Sequence, residues 1–170
     1  MKWIIGVCVG LVAIVAVIAG VGLLLPEKHR AYESAQFKVG AEQLWQTLID
    51  FSAYPTWRSG VSGVERIADM NGHPVWKEIY KQGEGIPYET VESVPNKRLL
   101  RRIADPNLPF GGSWEFSLEA TPGGVTLTIT ENGEVYNPVY RFVSRFIMGH
   151  AKNIHGYLED LQAKMAIKGQ

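Results

Sequence analysis

Three side chains in this 170-residue sequence have the type and spacing that acid–base or ligand-binding chemistry requires. His150 falls on an apolar stripe that recurs at helical spacing through residues 139–165, so its imidazole is expected to face a core. Glu78 and Glu131 lie on the apolar side of two segments in which polar and apolar residues alternate. Each could bind a ligand or transfer a proton. The structural alternatives are a core histidine bonded to a backbone carbonyl and two glutamates at solvated rims.

Aromatic side chains are the second group of candidates, because ligand pockets are mostly apolar and contain only a few polar groups. The predicted pocket residues are Tyr54, Trp57, Glu78, Tyr80, Tyr88, Trp114, Phe116, Phe146 and His150. A domain of this size needs aromatic residues in its core in any case, so a filled core is the alternative. Arg98, Arg101 and Arg102 are predicted to form a solvated face, and contact with anionic lipid headgroups is their second interpretation.

Other reaction chemistries lack the residues that they need. Cys8 stands inside an apolar run and no serine occurs in a G-x-S-x-G turn, so we predict no catalytic nucleophile. His150 and His155 fall on different helix faces and no G-x-G-x-x-G loop is present, so we predict no metal and no cofactor. The 17 basic residues balance the 17 acidic ones, which argues against nucleic acid as a partner.

The amino-terminal segment has the composition of a membrane span. Residues 3–25 are 19 apolar side chains and four glycines without a charge, about 34 Å of helix against a hydrocarbon core of about 30 Å. A cleaved signal peptide is the alternative, but the run is long and no small-residue cleavage site follows it. We predict a single-pass anchor over residues 1–26, with the membrane side of the following domain undetermined. Gly6 and Gly10 form a GxxxG pattern that suggests a weak helix dimer.

Residues 27–170 are predicted to form one domain that positions the candidate residues. A strand over residues 31–39 precedes a short amphipathic helix over residues 41–50. Turn-forming residues then recur every 8 to 15 positions through residues 61–136, which predicts an antiparallel meander. A single long helix is expected from Pro138 onward, with its apolar stripe covering the sheet. The fold class is therefore α+β, with about six or seven strands.

Two stretches resemble a known family. Residues 44–57 (LWQTLIDFSAYPTW) and residues 94–99 (VPNKRL) resemble the START-related helix-grip superfamily, SRPBCC, in its polyketide cyclase/dehydrase and lipid-transport branch. The resemblance covers residues 32–165 and leaves the predicted anchor outside. It implies a curved antiparallel sheet around the long C-terminal helix, with a cavity between them for a hydrophobic ligand. The family has no universal catalytic motif, so the resemblance implies no reaction.

Three functions remain open at this stage. The leading hypothesis is a membrane-anchored binder or carrier of a lipid, quinone or polyketide-like molecule, because a tether raises the effective concentration of a ligand dissolved in the bilayer. The second is a cyclase/dehydratase-type enzyme that uses the same cavity, with His150 or an inward glutamate as acid or base. The third is a structural or interaction domain whose own side chains fill the core.

Overall fold

The chain begins with helix α1, Lys2–Leu24. The computed structural model describes residues 2–81, 83, 85–149 and 151–168, and the side chains of α1 are described without gaps from Gly10 onward. No helix within the described residues is both long enough and apolar enough to cross a membrane. The anchor over residues 1–26 therefore stays a prediction, as does a dimer through Gly6 and Gly10.

Seven antiparallel strands form one sheet in the order β1-β7-β6-β5-β4-β3-β2. The meander predicted over residues 61–136 is confirmed: β2 to β7 pair consecutively, and β1 closes against β7 at the other edge. The strands are β1 Lys28–Phe37, β2 Val61–Met70, β3 His73–Tyr80, β4 Ile86–Val94, β5 Arg98–Ile103, β6 Phe110–Thr121 and β7 Gly124–Val135.

The turn between β2 and β3 shows how the sequence directs the meander. Asn71 and Gly72 have φ angles of 52° and 79°, the left-handed conformation that an Asn-Gly pair adopts most readily. Asn96 takes φ 60° in the β4–β5 turn, because asparagine tolerates the left-handed region better than most residues. Irregular pairing near Thr90 and Glu92 places a bulge in β4, which bends the sheet around its inner face.

Between β1 and β2 the chain forms helix α2, Ala41–Ile49, and the 3-10 helix Phe51–Thr56. Leu44 and Leu48 are completely buried, as the amphipathic pattern predicts. The Asp50 carboxylate accepts a hydrogen bond from the backbone N–H of Ala53 and begins the 3-10 turn. These two helices cover one end of the sheet's inner face.

The prediction of one continuous C-terminal helix is wrong. Helix α3, Pro138–Val143, is capped by the Asn137 side chain and is followed by a π-helical turn, Ser144–Met148. Gly149 then takes φ 75°, which ends the right-handed helix, and helix α4 covers Lys152–Lys168. The apolar residues recur at helical spacing through the whole segment, but Gly149 adopts a left-handed conformation and interrupts the helix.

Only the second half of the predicted stripe packs into the core. Ile154, Leu158, Leu161 and Met165 of α4 are buried in the same cluster as α2 and the inner strands. From the first half, Phe146 and Ile147 are mostly exposed. Helix α4 is therefore the helix that packs against the inner face of the sheet.

Helix α3 packs instead against the end of α1. The Arg141 guanidinium donates hydrogen bonds to the carbonyl oxygens of Gly22 and Leu25, each at 3.4 Å, and to the Glu27 carboxylate at 2.6 Å. Gly22 lies so close to Pro138 that an added Cβ would stand 1.9 Å from its carbonyl oxygen. We call this contact the α1–α3 clamp. It satisfies carbonyl groups that the last turn of α1 leaves without helical partners.

Candidate functional site

A small cavity lies between the inner face of the sheet and α4. Its volume is about 30 Å³, room for roughly two water molecules at 10–15 Å³ each. Its lining comes from the loop after the 3-10 helix, from four strands and from α4: Arg58, Glu78, Tyr80, Tyr88, Arg101, Trp114, Phe116 and Tyr157. The space is far smaller than a lipid, and most of its wall can form hydrogen bonds.

A buried carboxylate between two arginines forms the polar centre of this cavity. Arg58 Nη1 lies 3.3 Å from Glu78 Oε2, and Arg101 Nη1 donates to Glu78 Oε1. The Tyr80 hydroxyl donates a third hydrogen bond to Oε2 at 3.0 Å. Burial raises the pKa of Glu78, but Arg101 and Arg58 lower it further than burial raises it, so the carboxyl is ionised. We call Arg58, Glu78 and Arg101 the ion triad.

Four tyrosines extend the polar network on both sides of the triad. The hydroxyls of Tyr80 and Tyr88 are 3.3 Å apart, and those of Tyr54 and Tyr157 are 3.1 Å apart. The Tyr54 hydroxyl also donates to the Leu48 carbonyl at 2.7 Å. Burial raises the pKa of all four phenols, that of Tyr80 to about 12, so they remain protonated at neutral pH.

Glu131 forms a second, partly buried acidic position on the same face of the sheet. It pairs across strands with Trp114, which lines the cavity, and its carboxylate lies 3.6 Å from His29 Nε2. Its side chain is 15 % exposed, and burial raises its pKa to about 7. The sequence prediction that Glu131 faces inward is confirmed, but it does not line the cavity itself.

Five of the nine predicted pocket residues line this cavity: Glu78, Tyr80, Tyr88, Trp114 and Phe116. Tyr54 is buried one layer away behind Tyr157. Trp57 contacts Tyr157 edge to face but lines a separate surface groove beside α2. Phe146 is 59 % exposed and lies away from the cavity, because the break at Gly149 separates its helix from α4. His150 lies outside the described residues.

Sequence reasoning missed Arg58, Arg101 and Tyr157. The expectation that Arg98, Arg101 and Arg102 share a solvated face is wrong for Arg101, which is 3 % exposed. Arg101 stands two positions after the buried Leu99 on β5, and alternate residues of a strand face the same side, so the sequence contained a signal for its burial. Tyr157 likewise falls three residues after Ile154 on the α4 stripe. Nothing in the local sequence around Arg58 indicates that it is buried.

Comparison with known proteins places the chain in a family. A family model described as polyketide cyclase/dehydrase and lipid transport matches residues 28–166. The chain belongs to this family. The match spans the sheet and all the helices except α1, so the resemblance found in the sequence is confirmed at the level of the superfamily. No curated protein sequence matches the chain.

Solved structures agree with the fold of the cyclase and lipid-transport family. A START superfamily protein from Mycobacterium smegmatis has a TM-score of 0.64 at 17 % identity, covering 81 % of this chain and 97 % of its own. The aromatase/cyclase Zhui from Streptomyces sp. R1128 has a TM-score of 0.65 at 11 % identity, covering 84 % and 96 %. Norcoclaurine synthase from Thalictrum flavum has 0.65 at 8 %, covering 84 % and 97 %. At these identities the likeness establishes the helix-grip fold alone.

A metal centre is not indicated in the part of the family fold that the structure describes. No group of three or more histidine, cysteine, aspartate or glutamate side chains could hold an ion there. The carboxylates of the inner face, Glu78 and Glu131, instead lie next to arginine and histidine. The arrangement is therefore suited to binding and orienting a polar group through hydrogen bonds and charge.

Proposed function

We propose that this protein binds a hydrophobic small molecule, such as a lipid, a quinone or a polyketide-like compound, between the sheet and α4. The observation that carries the proposal is the cavity itself, with Trp114 and Phe116 on its apolar wall and the ion triad on its polar wall. Such a combination of apolar surface and a few convergent polar groups is typical of ligand sites. Membership of a family whose description includes lipid transport supports the same conclusion.

The size of the cavity sets a condition on binding. About 30 Å³ holds a small group of atoms, so a whole ligand enters only when the wall moves. The π-helical turn Ser144–Met148 and Gly149 interrupt the helical segment ahead of α4, so no continuous helix fixes α4 to α3. We infer that α4 shifts relative to the sheet when the ligand enters.

A cyclase/dehydratase-type enzyme is the second candidate, but the cavity lining supports it less well. A general acid or base works best with a pKa near the working pH. The Arg101 and Arg58 charges hold the pKa of Glu78 below its usual range, and burial holds the pKa values of the lining tyrosines above theirs. The third candidate, a structural domain with a filled core, is separated from the first by the binding experiment.

We also propose that α1 anchors the domain in a membrane. Apolar side chains along the helix, including Val12, Val17 and Leu23, are more than half exposed. An apolar surface of this extent requires an apolar partner. A membrane places the domain where hydrophobic ligands are concentrated.

Mass spectrometry of the full chain, purified in a mild detergent, tests the binding proposal. We expect a defined hydrophobic compound at about one per chain, and we expect Phe116→Trp to lose it because the larger ring occupies the cavity. Phe110→Trp, on the same strand but away from the cavity, is the matched control and should retain the compound. If no hydrophobic compound co-purifies and none binds on addition, the protein is not a carrier.

A further inference from the structure

The ion triad contains more positive than negative charge. Arg58 and Arg101 each pair with Glu78, and within the described residues no second carboxylate pairs with either arginine. Glu78 is 1 % exposed, Arg101 is 3 % exposed and the Arg58 side chain is 15 % exposed, so water screens the difference only in part. A largely buried charge without a counter-ion is strongly unfavourable, and among the described residues the triad carries one unit of positive charge that no carboxylate pairs with.

Two guanidinium donors in the triad have no hydrogen-bond partner among the described residues. Nε and Nη2 of Arg101 are both buried and unpaired. The guanidinium is sandwiched between the rings of Phe51 and Tyr88, with its Cζ 4.2 and 4.7 Å from their centroids. These rings offset part of the charge, but a π face accepts no strong hydrogen bond from a donor at its edge. Leaving buried donors unpaired is energetically unfavourable, so a partner that accepts hydrogen bonds from them would be favoured.

The tyrosines of the lining do not supply the missing negative charge. Burial raises the pKa of Tyr88 and Tyr157 well above 10 and that of Tyr80 to about 12, even beside the arginines. Their hydroxyls remain neutral and already bond to each other or to Glu78. As far as the described residues show, the triad therefore keeps its surplus positive charge at every pH near neutrality.

We propose that the ligand of this protein carries an anionic oxygen group, with a carboxylate as the simplest form, that enters the cavity and pairs with Arg58 and Arg101. This inference rests on the proposed function and names the chemical class of its ligand. The volume of about 30 Å³ suits a head group of this size. The apolar remainder of the ligand lies along Trp114 and Phe116, where the shift of α4 makes room.

Two probes of the same shape but different charge test the inference. The full chain in detergent micelles is titrated with 2-naphthoate and with its neutral isostere 2-naphthamide, and empty micelles correct for partitioning. We expect naphthoate to bind at least about tenfold more tightly, because charge-assisted hydrogen bonds replace the unpaired donors.

The variant Arg58→Gln tests whether the preference for naphthoate depends on the ion triad. It removes the surplus charge but leaves the Glu78–Arg101 pair, so naphthoate affinity should fall to that of naphthamide, which should stay within about twofold. Arg98→Gln is the matched control: Arg98 lies on the same strand as Arg101, pairs with Glu92 and Glu115 on the solvated face, and should change neither affinity. If Arg58→Gln does not fold, Arg58→Lys keeps the charge without the planar fork, and naphthoate affinity should fall several-fold.

The outcomes separate this inference from the function on which it rests. Equal affinities for the two probes, no binding of either probe, or a preference for naphthoate that persists in Arg58→Gln would overturn the anionic-ligand inference. A neutral compound co-purifying with the full chain would overturn it as well and leave the binding function intact. The absence of any hydrophobic ligand in the mass-spectrometry experiment overturns the binding function itself.

Discussion

At the scale of single residues, the sequence predicts which face of the sheet a side chain lies on better than it predicts which side chain it contacts. Alternation placed Glu78 and Glu131 on the inner face, and both lie there. The same alternation could have placed Arg101, but a cluster of three arginines suggested a solvated face. Glu78 pairs with arginines 20 and 23 positions away, and such pairs form only after the meander brings the strands together. The sequence around Glu78 therefore does not show that its partners are Arg58 and Arg101.

Glu131 provides a test at the same scale. Burial raises its pKa to about 7 in the folded protein, above the value of an exposed glutamate. The stability that its protonated form contributes is fully present below the unfolded pKa and is lost as the pH rises through about 7. We expect Glu131→Gln to remove that loss, so that the variant gains about 1–3 kcal/mol relative to the parent protein between pH 5 and pH 8.

Denaturant titration at pH 5 and pH 8 measures this difference. Glu134→Gln serves as the control, because Glu134 lies on the same strand in a more exposed ion pair with Lys28. The same small change at both pH values in Glu131→Gln would show that the buried carboxyl is not the titrating group.

At the scale of elements, the sheet was predictable and the last helix was not. Turn residues such as Asn71 and Gly72 determine where strands end, and they act locally. The C-terminal stripe was also visible, yet Gly149 breaks the helix where the stripe continues. The spacing of apolar residues predicts which of them lie on the same face of a helix. It does not predict whether the helix is continuous, because glycine can adopt backbone angles outside the helical region.

The α1–α3 clamp makes a prediction at this scale. An added methyl group at Gly22 would collide with the backbone of Pro138, so Gly22→Ala should push α1 and α3 apart. We expect a loss of about 1–3 kcal/mol in unfolding free energy. Gly20→Ala, in the same helix with nothing within 4 Å of the new methyl group, should be neutral or slightly stabilising. Equal effects of the two substitutions would mean that α1 does not pack on α3.

At the scale of the whole molecule, the proposed attachment of α1 to a membrane can be tested directly. If α1 is an anchor, the full chain should stay with the membrane fraction after alkaline carbonate washing and leave it only with detergent. Ile14→Arg places a charge near the middle of the helix and should weaken attachment, since a central arginine costs about 2.5–3.5 kcal/mol. Lys97→Arg, in the exposed β4–β5 turn, is the control substitution. Release of the parent protein by carbonate alone would contradict the anchor.

The Arg141 contacts have a mechanical consequence for an anchored protein. Only three residues, 25–27, separate α1 from β1, and Arg141 bonds to two of them. If α1 is an anchor, the domain would consequently have little freedom to rotate relative to it, and the tilt of this single helix would set the orientation of the domain. In an anchored protein, a change in the tilt of α1 would therefore move α3 with it, whereas α4 is separated from α3 by the break at Gly149. Under that condition, bilayer thickness, which affects helix tilt, would also affect how the sheet is presented to the membrane surface.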